Sequence, residues 1–322
     1  MTAPRSEAAA SPLLRVRDLH QHFRINRGYT VKAVNGVSFD IYPGETYGLV
    51  GESGSGKSTI GRTLIRLYKP TAGTIEFKGR DISGSLDKEA YLELRTKMQM
   101  IFQDPMASLN PRKKIIEIIS QGPRYHKLCT DREDLAGQVY RIMDKVGLSR
   151  DFANRYPHQF SGGQRQRIGI ARALIMAPDL IIADEAISAL DVSIQAQIVN
   201  LLKGIQQDSG AALLFIAHDL TMVKYLSNHV GVLHRGCLVE TGSKEEIFSR
   251  PVHPYTRSLL SAIPHPNPRL EKKRRAYTYD YKNSGLDYSK GELHHIGGTH
   301  RVLGSDRDLE IWFRETGMKV PG

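Results

Sequence analysis

The sequence predicts an α/β protein built on a parallel β-sheet. Two short apolar runs, 180–183 and 213–217, have the length of buried strands, and helical spacing accompanies them along the chain, as over 192–207. A third apolar run, 46–50, leads through a glycine-rich turn into a helix predicted over 57–67. Strands and helices that alternate in this way form parallel sheets with helices on their faces.

The composition is that of a globular protein. The 322 residues carry a net charge of +11, with 25% charged and 40% hydrophobic residues. No apolar run approaches the roughly 18–20 residues that cross a bilayer, and residues 1–12, expected to be flexible, lack the apolar core of a secretory signal. Cys129 and Cys237 lie far apart, which supports neither a disulfide framework nor a cysteine-ligated metal site. We therefore expect a cytosolic chain with two plain thiols.

An antiparallel β subdomain is predicted at the N-terminus. Apolar and polar residues partly alternate over 13–23 and over 34–41, as they do in half-exposed strands. Arg27–Gly28 supplies a turn between the two strands, and strand character returns at 74–77.

An inserted helical subdomain is predicted at about 105–178, because residues 110–147 show helical spacing and little strand signal. After Pro264 the regular patterning fades into a tail that contains Pro, Tyr and His. The chain is therefore divided into a core domain over 13–250 and a C-terminal extension over 251–322.

The strongest local motif is GESGSGKST at 51–59. Its glycines let backbone N–H groups close around phosphate oxygens at a helix N-terminus. Lys57 can reach the terminal phosphates of a nucleotide, and Ser58 can offer its hydroxyl to Mg²⁺. Because a strand precedes the motif and a helix follows it, the sequence predicts a P-loop NTPase core.

Two further motifs suit nucleotide chemistry. An apolar run ends in Asp184 and Glu185, where the Asp can hold Mg²⁺ and the Glu can orient or deprotonate a water molecule. Taken alone, solvated acids at a strand end explain this pair better. Ser161 and the glycines 162–163 begin a helix whose free N–H groups can contact an anion, although a simple N-cap explains them equally well.

In combination, these residues resemble the ATP-binding cassette (ABC) ATPases over roughly 13–249. The chain shows six motifs in that family's order: Walker A (51–59), the Q-loop Gln103, the signature motif (161–164), Walker B Asp184 with Glu185, the D-loop (188–191) and the switch histidine His218. Gln103 and His218 alone would be ordinary polar residues at strand ends. Tyr29 is similar to the family's adenine-stacking aromatic, and a strand or turn residue is nearly as good an interpretation.

The resemblance implies binding and hydrolysis of ATP with Mg²⁺. It implies catalytic roles for Glu185, His218 and Lys57, and metal contacts for Ser58, Gln103 and Asp184. The residues that would contact nucleotide are Tyr29, Gly51, Ser53, Gly54, Ser55, Gly56, Lys57, Ser58, Thr59, Gln103, Ser161, Gly162, Gly163, Gln164, Asp184 and Asp191. Two such domains pair head to tail in the family, so the signature motif would act on ATP held by a partner.

The sequence departs from the family pattern at two places. Ala186 and Ile187 follow Glu185 where Pro-Thr is common, and Phe160 precedes the signature where Leu is usual. Because none of these side chains offers a group to phosphate, we expect altered packing and not a loss of activity.

The C-terminal segment narrows the resemblance. PVHPYTRSLLSAIP at 251–264 resembles the extension of the ATPase subunits of oligopeptide and dipeptide importers, and the segments 103–111 and 188–197 are typical of the same group.

Many members hold an iron–sulfur cluster in a cysteine-rich tail, but residues 264–322 contain no cysteine, so no cluster is expected. Three histidines of the tail are interpreted as solvated: His294, His295 and His300. Its aromatic residues predict that the tail folds, or docks on the catalytic domain or on a partner ATPase.

The resemblance implies a peripheral protein on the cytoplasmic face of the cell membrane. Its implied partners are two membrane permease subunits, a second ABC ATPase (a different chain or a second copy) and, indirectly, an extracytoplasmic peptide-binding protein. Residues 61–130, around the Q-loop, carry +6 of the net charge, where the family meets its membrane subunit beside an anionic leaflet. No nucleic-acid partner is required.

The alternative is a soluble ABC ATPase that acts on nucleic acid or ribosomes, which would carry the same motifs and a basic charge. Only about 58 residues separate Gln103 from Ser161, too few for the long coiled coil of chromosome-type members. Ribosome-acting members usually carry two cassettes in one chain.

Overall fold

The computed structural model describes residues 11–129, 131–188, 190–263 and 277–317, so most of the predicted flexible segment 1–12 lies outside it. The strands are β1 (Leu14–Arg24), β2 (Thr30–Ile41), β3 (Thr46–Val50), β4 (Ala72–Phe77), β5 (Arg80–Asp81), β6 (Met98–Ile101), β7 (Leu180–Asp184), β8 (Ala212–Ala217), β9 (His229–His234), β10 (Cys237–Ser243), β11 (Glu292–Gly297) and β12 (His300–Gly304). The α-helices within these ranges are α1 (Lys57–Leu64), α2 (Lys88–Lys97), α3 (Pro105–Ser108), α4 (Ile115–Tyr125), α5 (Arg132–Lys145), α6 (Gly162–Leu174), α7 (Val192–Ser209), α8 (Leu220–Leu226), α9 (Lys244–Ser249), α10 (Pro254–Ser261) and α11 (Asp306–Thr316).

The central sheet has eight strands in the order β11-β12-β10-β9-β3-β8-β7-β6. The five strands from β9 to β6 are parallel to one another. Every residue of β3, β7 and β8 is buried, as expected for strands covered on both faces, which is why they read as continuous apolar runs in the sequence. The predicted α/β fold with a parallel sheet is confirmed.

A smaller antiparallel sheet, β2-β1-β4-β5, covers one side of the core, in agreement with the predicted N-terminal sheet. Helix α1 shares a core cluster with both sheets, because Ile60 and Leu64 are fully buried together with Leu14 of β1 and Ile216 of β8. The helix that follows the phosphate loop is thereby fixed between two sheets.

The segment between β6 and β7 is helical. Helices α3 to α6 and two short 3₁₀ turns, Arg150–Asn154 and Pro157–Gln159, occupy it without a strand among the described residues. Ile119 of α4, Val139 of α5 and Ile168 of α6 are fully buried in the second core cluster. The helical spacing in the sequence is therefore the buried face of these helices.

The C-terminal region is more regular than the sequence predicts. Residues 292–304 form the hairpin β11–β12, which pairs antiparallel with β10 and extends the central sheet. The expectation that regularity fades after Pro264 is wrong for this part of the tail. The signal is weak because β11 is an edge strand with histidines and a glycine in place of alternating apolar residues. The interpretation of His300 as solvated is also wrong, because His300 is buried in β12 and its Nε2 lies 2.7 Å from a carboxylate oxygen of Glu240. Across the described ranges, none of the helices combines the length and the hydropathy that a bilayer crossing demands.

Candidate active site

The phosphate loop joins β3 to α1 in a shape that only glycine permits at two positions. Gly51 and Gly56 have φ angles of 153° and 111°. A Cβ on Gly51 would collide with the carbonyl oxygen of Leu233, and a Cβ on Gly56 would collide with that of Ala33. Gly56 is also the N-cap of α1, so the free N–H groups of this helix face the loop.

Lys57 is buried inside the loop, with 3% of its surface exposed. Its ammonium donates hydrogen bonds to the carbonyl oxygens of Gly51 (2.8 Å) and Glu52 (2.9 Å), and lies 3.7 Å from a carboxylate oxygen of Glu185. Burial lowers the pKa of Lys57, while Glu185 acts in the opposite direction. The cation is therefore held by loop carbonyls and one carboxylate, at the centre of the glycine cradle.

Asp184 ends β7 and is fully buried. The Ser58 hydroxyl donates to its Oδ1 at 2.6 Å, whereas its Oδ2 has no hydrogen-bond partner among the described residues and lies 3.8 Å from the Arg62 guanidinium. Burial raises the pKa of Asp184. A buried carboxylate oxygen without a hydrogen bond, beside a serine hydroxyl, suits the oxygen-ligand preference of Mg²⁺.

Glu185, the next residue, has a positive φ of 44°, a backbone conformation that is strained for any residue other than glycine. Its backbone N–H donates to the Ile216 carbonyl at 2.9 Å, which holds it against β8. The Gln103 amide donates to the Glu185 carboxylate at 2.8 Å. Gln103 and Glu185, 82 residues apart in the chain, therefore meet beside Lys57.

These side chains surround an open cleft of 540 Å³. Eight of the predicted nucleotide or catalytic residues line it: Ser53, Gly54, Gly56, Lys57, Ser58, Thr59, Gln103 and Glu185. Sequence reasoning missed five others, Val31, Lys32 and Ala33 of β2 with Arg235 and Gly236 of the β9–β10 turn. An Arg-Gly pair between two apolar runs is a turn signal, but nothing local places that turn against the phosphate loop.

Other predicted residues lie outside the cleft lining. Ser55 and Gly51 are buried within the loop, where they shape it. Tyr29, in the turn before β2, is 58% exposed. His218 follows β8 and is exposed, at the same sheet edge as Asp184 because β7 and β8 run parallel.

The signature motif lies at the start of α6, outside the residues that line the cleft. Ser161 and Gly162 are exposed. Ser161 caps the helix by accepting from the Gln164 N–H at 3.4 Å, and Gln164 accepts from the Ser161 N–H at 3.0 Å. Asp191, the N-cap of α7, is also exposed and caps without a side-chain hydrogen bond. The structure therefore does not bring the signature motif to the phosphate loop of its own chain.

The departures from the family pattern are buried. Ala186 and Ile187 belong to the core, and Phe160 packs edge-on against Phe152 with ring centroids 5.4 Å apart. Their differences from the usual residues are therefore differences of packing.

Family models match both parts of the chain. The ABC transporter model matches residues 34–188, and the model of the oligopeptide/dipeptide transporter C-terminal region matches residues 239–285. The oligopeptide transport ATP-binding protein OppF of Bacillus subtilis (strain 168) is 56% identical over 301 residues, which is 93% of this chain and 98% of that protein. The dipeptide transport ATP-binding protein DppF of Lactococcus lactis subsp. cremoris is 46% identical over 302 residues, covering 93% and 96%.

A solved structure agrees with this match. The dimeric, post-hydrolysis ATP-binding cassette MJ0796, bound to ADP and Pi, superposes with a TM-score of 0.66 at 26% identity, covering 72% of this chain and 98% of that chain. The chain belongs to the ATP-binding proteins of ABC transporters. Within them it belongs to the oligopeptide/dipeptide group. It is therefore an ATPase that works in a transporter complex with permease partners, and the predicted family and enzyme class are confirmed.

Proposed function

We propose that this ATPase hydrolyses ATP at the cleft around Lys57 to power the uptake of oligopeptides or dipeptides through partner permeases. The observation that carries the proposal is the convergence of Lys57, Ser58, Gln103, Asp184 and Glu185, from three separate segments, around one glycine cradle. The peptide class rests on the relatives' names and on the match of 239–285. These relatives give no support to the alternative of a nucleic-acid or ribosome-acting ATPase.

The loop N–H groups and Lys57 bind the phosphates in this proposal. Lys57 already sits among carbonyl oxygens that phosphate oxygens can replace. Glu185 orients and polarises the attacking water, Gln103 holds the Glu185 carboxylate, and His218 contacts the terminal phosphate from the neighbouring strand end. The proposed nucleotide residues outside the cleft lining, Tyr29 and Asp191 among them, would join only when nucleotide or a partner is bound.

Mg²⁺ fits the pair of Ser58 and Asp184, because the Asp184 Oδ2 is a buried oxygen that accepts no hydrogen bond within the described part of the chain. Gln103 would supply a further contact to the ion. When bound, the ion neutralises charge on the phosphate oxygens. The Ser58 hydroxyl donates to the Asp184 carboxylate, which favours its ionised form and fixes its orientation.

The signature motif, 161–164, acts on ATP held by a second cassette. The exposed N-terminus of α6 offers N–H groups and a positive helix end to an anion outside the chain. The second cassette is a different chain or a second copy, and no nucleic acid is involved. The pair lies peripherally on the cytoplasmic face of the membrane against two permeases, and an extracytoplasmic binding protein delivers the peptide.

The chain divides, in this proposal, into a nucleotide-binding domain over 13–250, with a helical subdomain at about 105–178, and the extension over 251–322. The helical subdomain carries the signature motif, and the extension carries the segment that distinguishes the peptide group.

Replacing Glu185 with Gln tests the catalytic assignment. E185Q keeps the shape of the side chain and an acceptor for Gln103 but loses the carboxylate, so we expect ATP turnover in the transporter complex to fall by about 100-fold or more. ATP binding should persist. Glu133→Gln, at an exposed glutamate of α5, is the matched control for the loss of one charge. Unchanged turnover in E185Q would contradict the role of Glu185.

The peptide class is tested by uptake in cells that depend on this transporter. Labelled dipeptides and longer peptides should enter with the native chain and fail to enter with E185Q. Co-purification from membranes should recover permeases. Recovery of ribosomes or DNA instead would contradict the importer assignment.

A further inference from the structure

A hydroxyl of the C-terminal region contacts the phosphate loop directly. The backbone N–H of Glu52, the second residue of the loop, donates to the Tyr255 hydroxyl oxygen at 2.9 Å. The carbonyl of the same residue accepts from the Lys57 ammonium at 2.9 Å and from the Ser55 N–H at 3.2 Å. Tyr255 therefore fixes the residue whose carbonyl holds the Lys57 ammonium in place.

Tyr255 is itself firmly held. It is 2% exposed, and its ring stacks on His234 with centroids 4.0 Å apart and planes inclined by 27°. Its backbone N–H donates to Nδ1 of His253, the N-cap of α10, at 3.1 Å. The buried Glu240 carboxylate accepts from the N–H groups of Val252 (2.8 Å) and His253 (3.1 Å). The hydroxyl consequently has little freedom to leave the loop.

Residues 277–317 contact both α10 and the His234 ring. Arg257 pairs with Glu315 of α11 at 2.6 Å, and the Ser258 hydroxyl donates to the Tyr277 carbonyl at 2.8 Å. The Tyr288 hydroxyl lies 2.6 Å from Nδ1 of His234. His234, Tyr255, Tyr279, Tyr281 and Tyr288 thus form one aromatic cluster behind the phosphate loop.

The β9–β10 turn makes a second link between this cluster and the loop. The Gly236 N–H donates to the Ser55 carbonyl at 2.8 Å, and the guanidinium of the preceding residue, Arg235, lies over the Tyr281 ring at 4.7 Å. The loop is therefore tied at residue 52 and at residue 55 to groups that the C-terminal region holds.

We propose that Tyr255 is a positioning residue for ATP binding: its hydroxyl holds the phosphate loop in the shape that receives phosphate before nucleotide arrives. Without this hydroxyl, the Glu52 N–H loses its partner and the loop must be ordered at the moment of binding, which weakens affinity. The inference rests on the proposed function of the loop as the ATP site. It assigns to residues 253–255, in the C-terminal extension, a task inside the nucleotide site of the same chain.

Tyr255→Phe removes only the hydroxyl and keeps the stacked ring. In the full-length chain we expect the Kd for ATP and for ADP, measured by displacement of a fluorescent nucleotide, to rise about threefold to tenfold, the size of one lost hydrogen bond. In the transporter complex KM for ATP should rise by a similar factor while kcat changes less than about twofold, because the hydroxyl touches no reacting atom. Hydrogen exchange at the Glu52 amide should accelerate.

Tyr279→Phe is the matched control. Tyr279 belongs to the same cluster and packs against both His234 and Tyr255, but its hydroxyl lies near Ser284 and Tyr288 instead of the loop. Its nucleotide affinity should stay near that of the native chain.

Three results would overturn the proposal: native ATP affinity in Y255F, unchanged exchange at the Glu52 amide, or an equal loss of affinity in Y255F and Y279F, which would point to packing alone. A native chain that fails to bind ATP would overturn the proposed function, and this inference with it.

Discussion

The phosphate loop (51–59) and the signature segment (161–164) are both glycine-rich starts of helices, yet they stand in opposite environments. In the loop, Lys57 is buried and its ammonium is bound by carbonyls of the same loop. In the signature segment, Ser161 is exposed and the side chains of 161 and 164 satisfy only each other's backbone. The first region is complete within one chain, whereas the second presents its helix end to solvent.

This difference has a consequence for substitutions. Changes at the buried positions of the phosphate loop should disturb the folded chain and its own nucleotide, because Ser55 and Lys57 are buried and a Cβ on Gly56 would meet a backbone carbonyl. Changes in the signature segment should leave both intact and act only on the assembled pair of cassettes.

The sharpest test is Gly162→Asp. A carboxylate in the first turn of α6 favours the helix but repels phosphate, and a Cβ at this position meets only Leu190 at 3.5 Å. We expect ATP turnover of the transporter to fall about 100- to 1,000-fold. The Tm and the ATP affinity of the isolated chain should barely change.

Gly204→Asp, the same change at an open position of α7, should leave turnover near the native value. Native turnover in G162D, or a loss of ATP affinity in the isolated G162D chain, would contradict the claim that the signature segment acts only on the assembled pair of cassettes.

The second test compares two glycines within the phosphate loop. Gly56→Ala places a methyl group against the Ala33 carbonyl at a φ of 111°, so we expect the free energy of unfolding to fall by about 2–3 kcal/mol. Gly54→Ala meets open space and suffers only from its φ of 80°, which costs about 1 kcal/mol. Urea unfolding measures both, and equal losses would show that packing around residue 56 is not the cause.

The smallest expected effect concerns pH. Burial lowers the pKa of His234 to about 4 and that of His253 to about 3, from an ordinary value of 6.5. The unfolded chain therefore binds more protons than the folded chain below pH 6.5, and stability falls as the pH drops from there toward the folded values. From pH 7 to pH 6 we expect a loss of about 1 kcal/mol, or about 2–4 °C in Tm.

His234→Gln should weaken the dependence of the free energy of unfolding on pH. The comparison must be with the parent chain, because the hydrogen bond to Glu45 raises the pKa of His229, which changes stability with pH in the opposite direction. If the free energy of unfolding of H234Q depended on pH as strongly as that of the parent chain, the aromatic cluster behind the phosphate loop would not be the cause of the acid sensitivity. The signature segment contains no group that titrates in this range.

Local sequence patterns were sufficient to predict the buried strands of the central sheet. β3 coincides with the predicted run 46–50, and β7 extends the run 180–183 by one residue, because strands buried on both faces leave an uninterrupted apolar signature. The phosphate loop could be predicted for a similar reason, since its glycines, lysine and serine are adjacent in sequence and act together.

Contacts across the chain could not be predicted in this way. The hydrogen bond of Glu52 to Tyr255 spans 203 residues, and the Arg235–Gly236 turn reaches the cleft only because β9 lies beside β3. The strained φ of Glu185 is likewise imposed by β8, through its hydrogen bond to Ile216. Such features depend on strand order, which no single segment encodes.

The pairing of β12 with β10 has a consequence for shortened forms of the chain. The hairpin β11–β12 covers the side of β10 that faces away from β9. A chain cut after α10 would leave β10 as an edge strand with free N–H and carbonyl groups at Glu240 and Thr241, a template for pairing with another molecule. We therefore expect a chain truncated after α10 to aggregate more readily than the full-length chain.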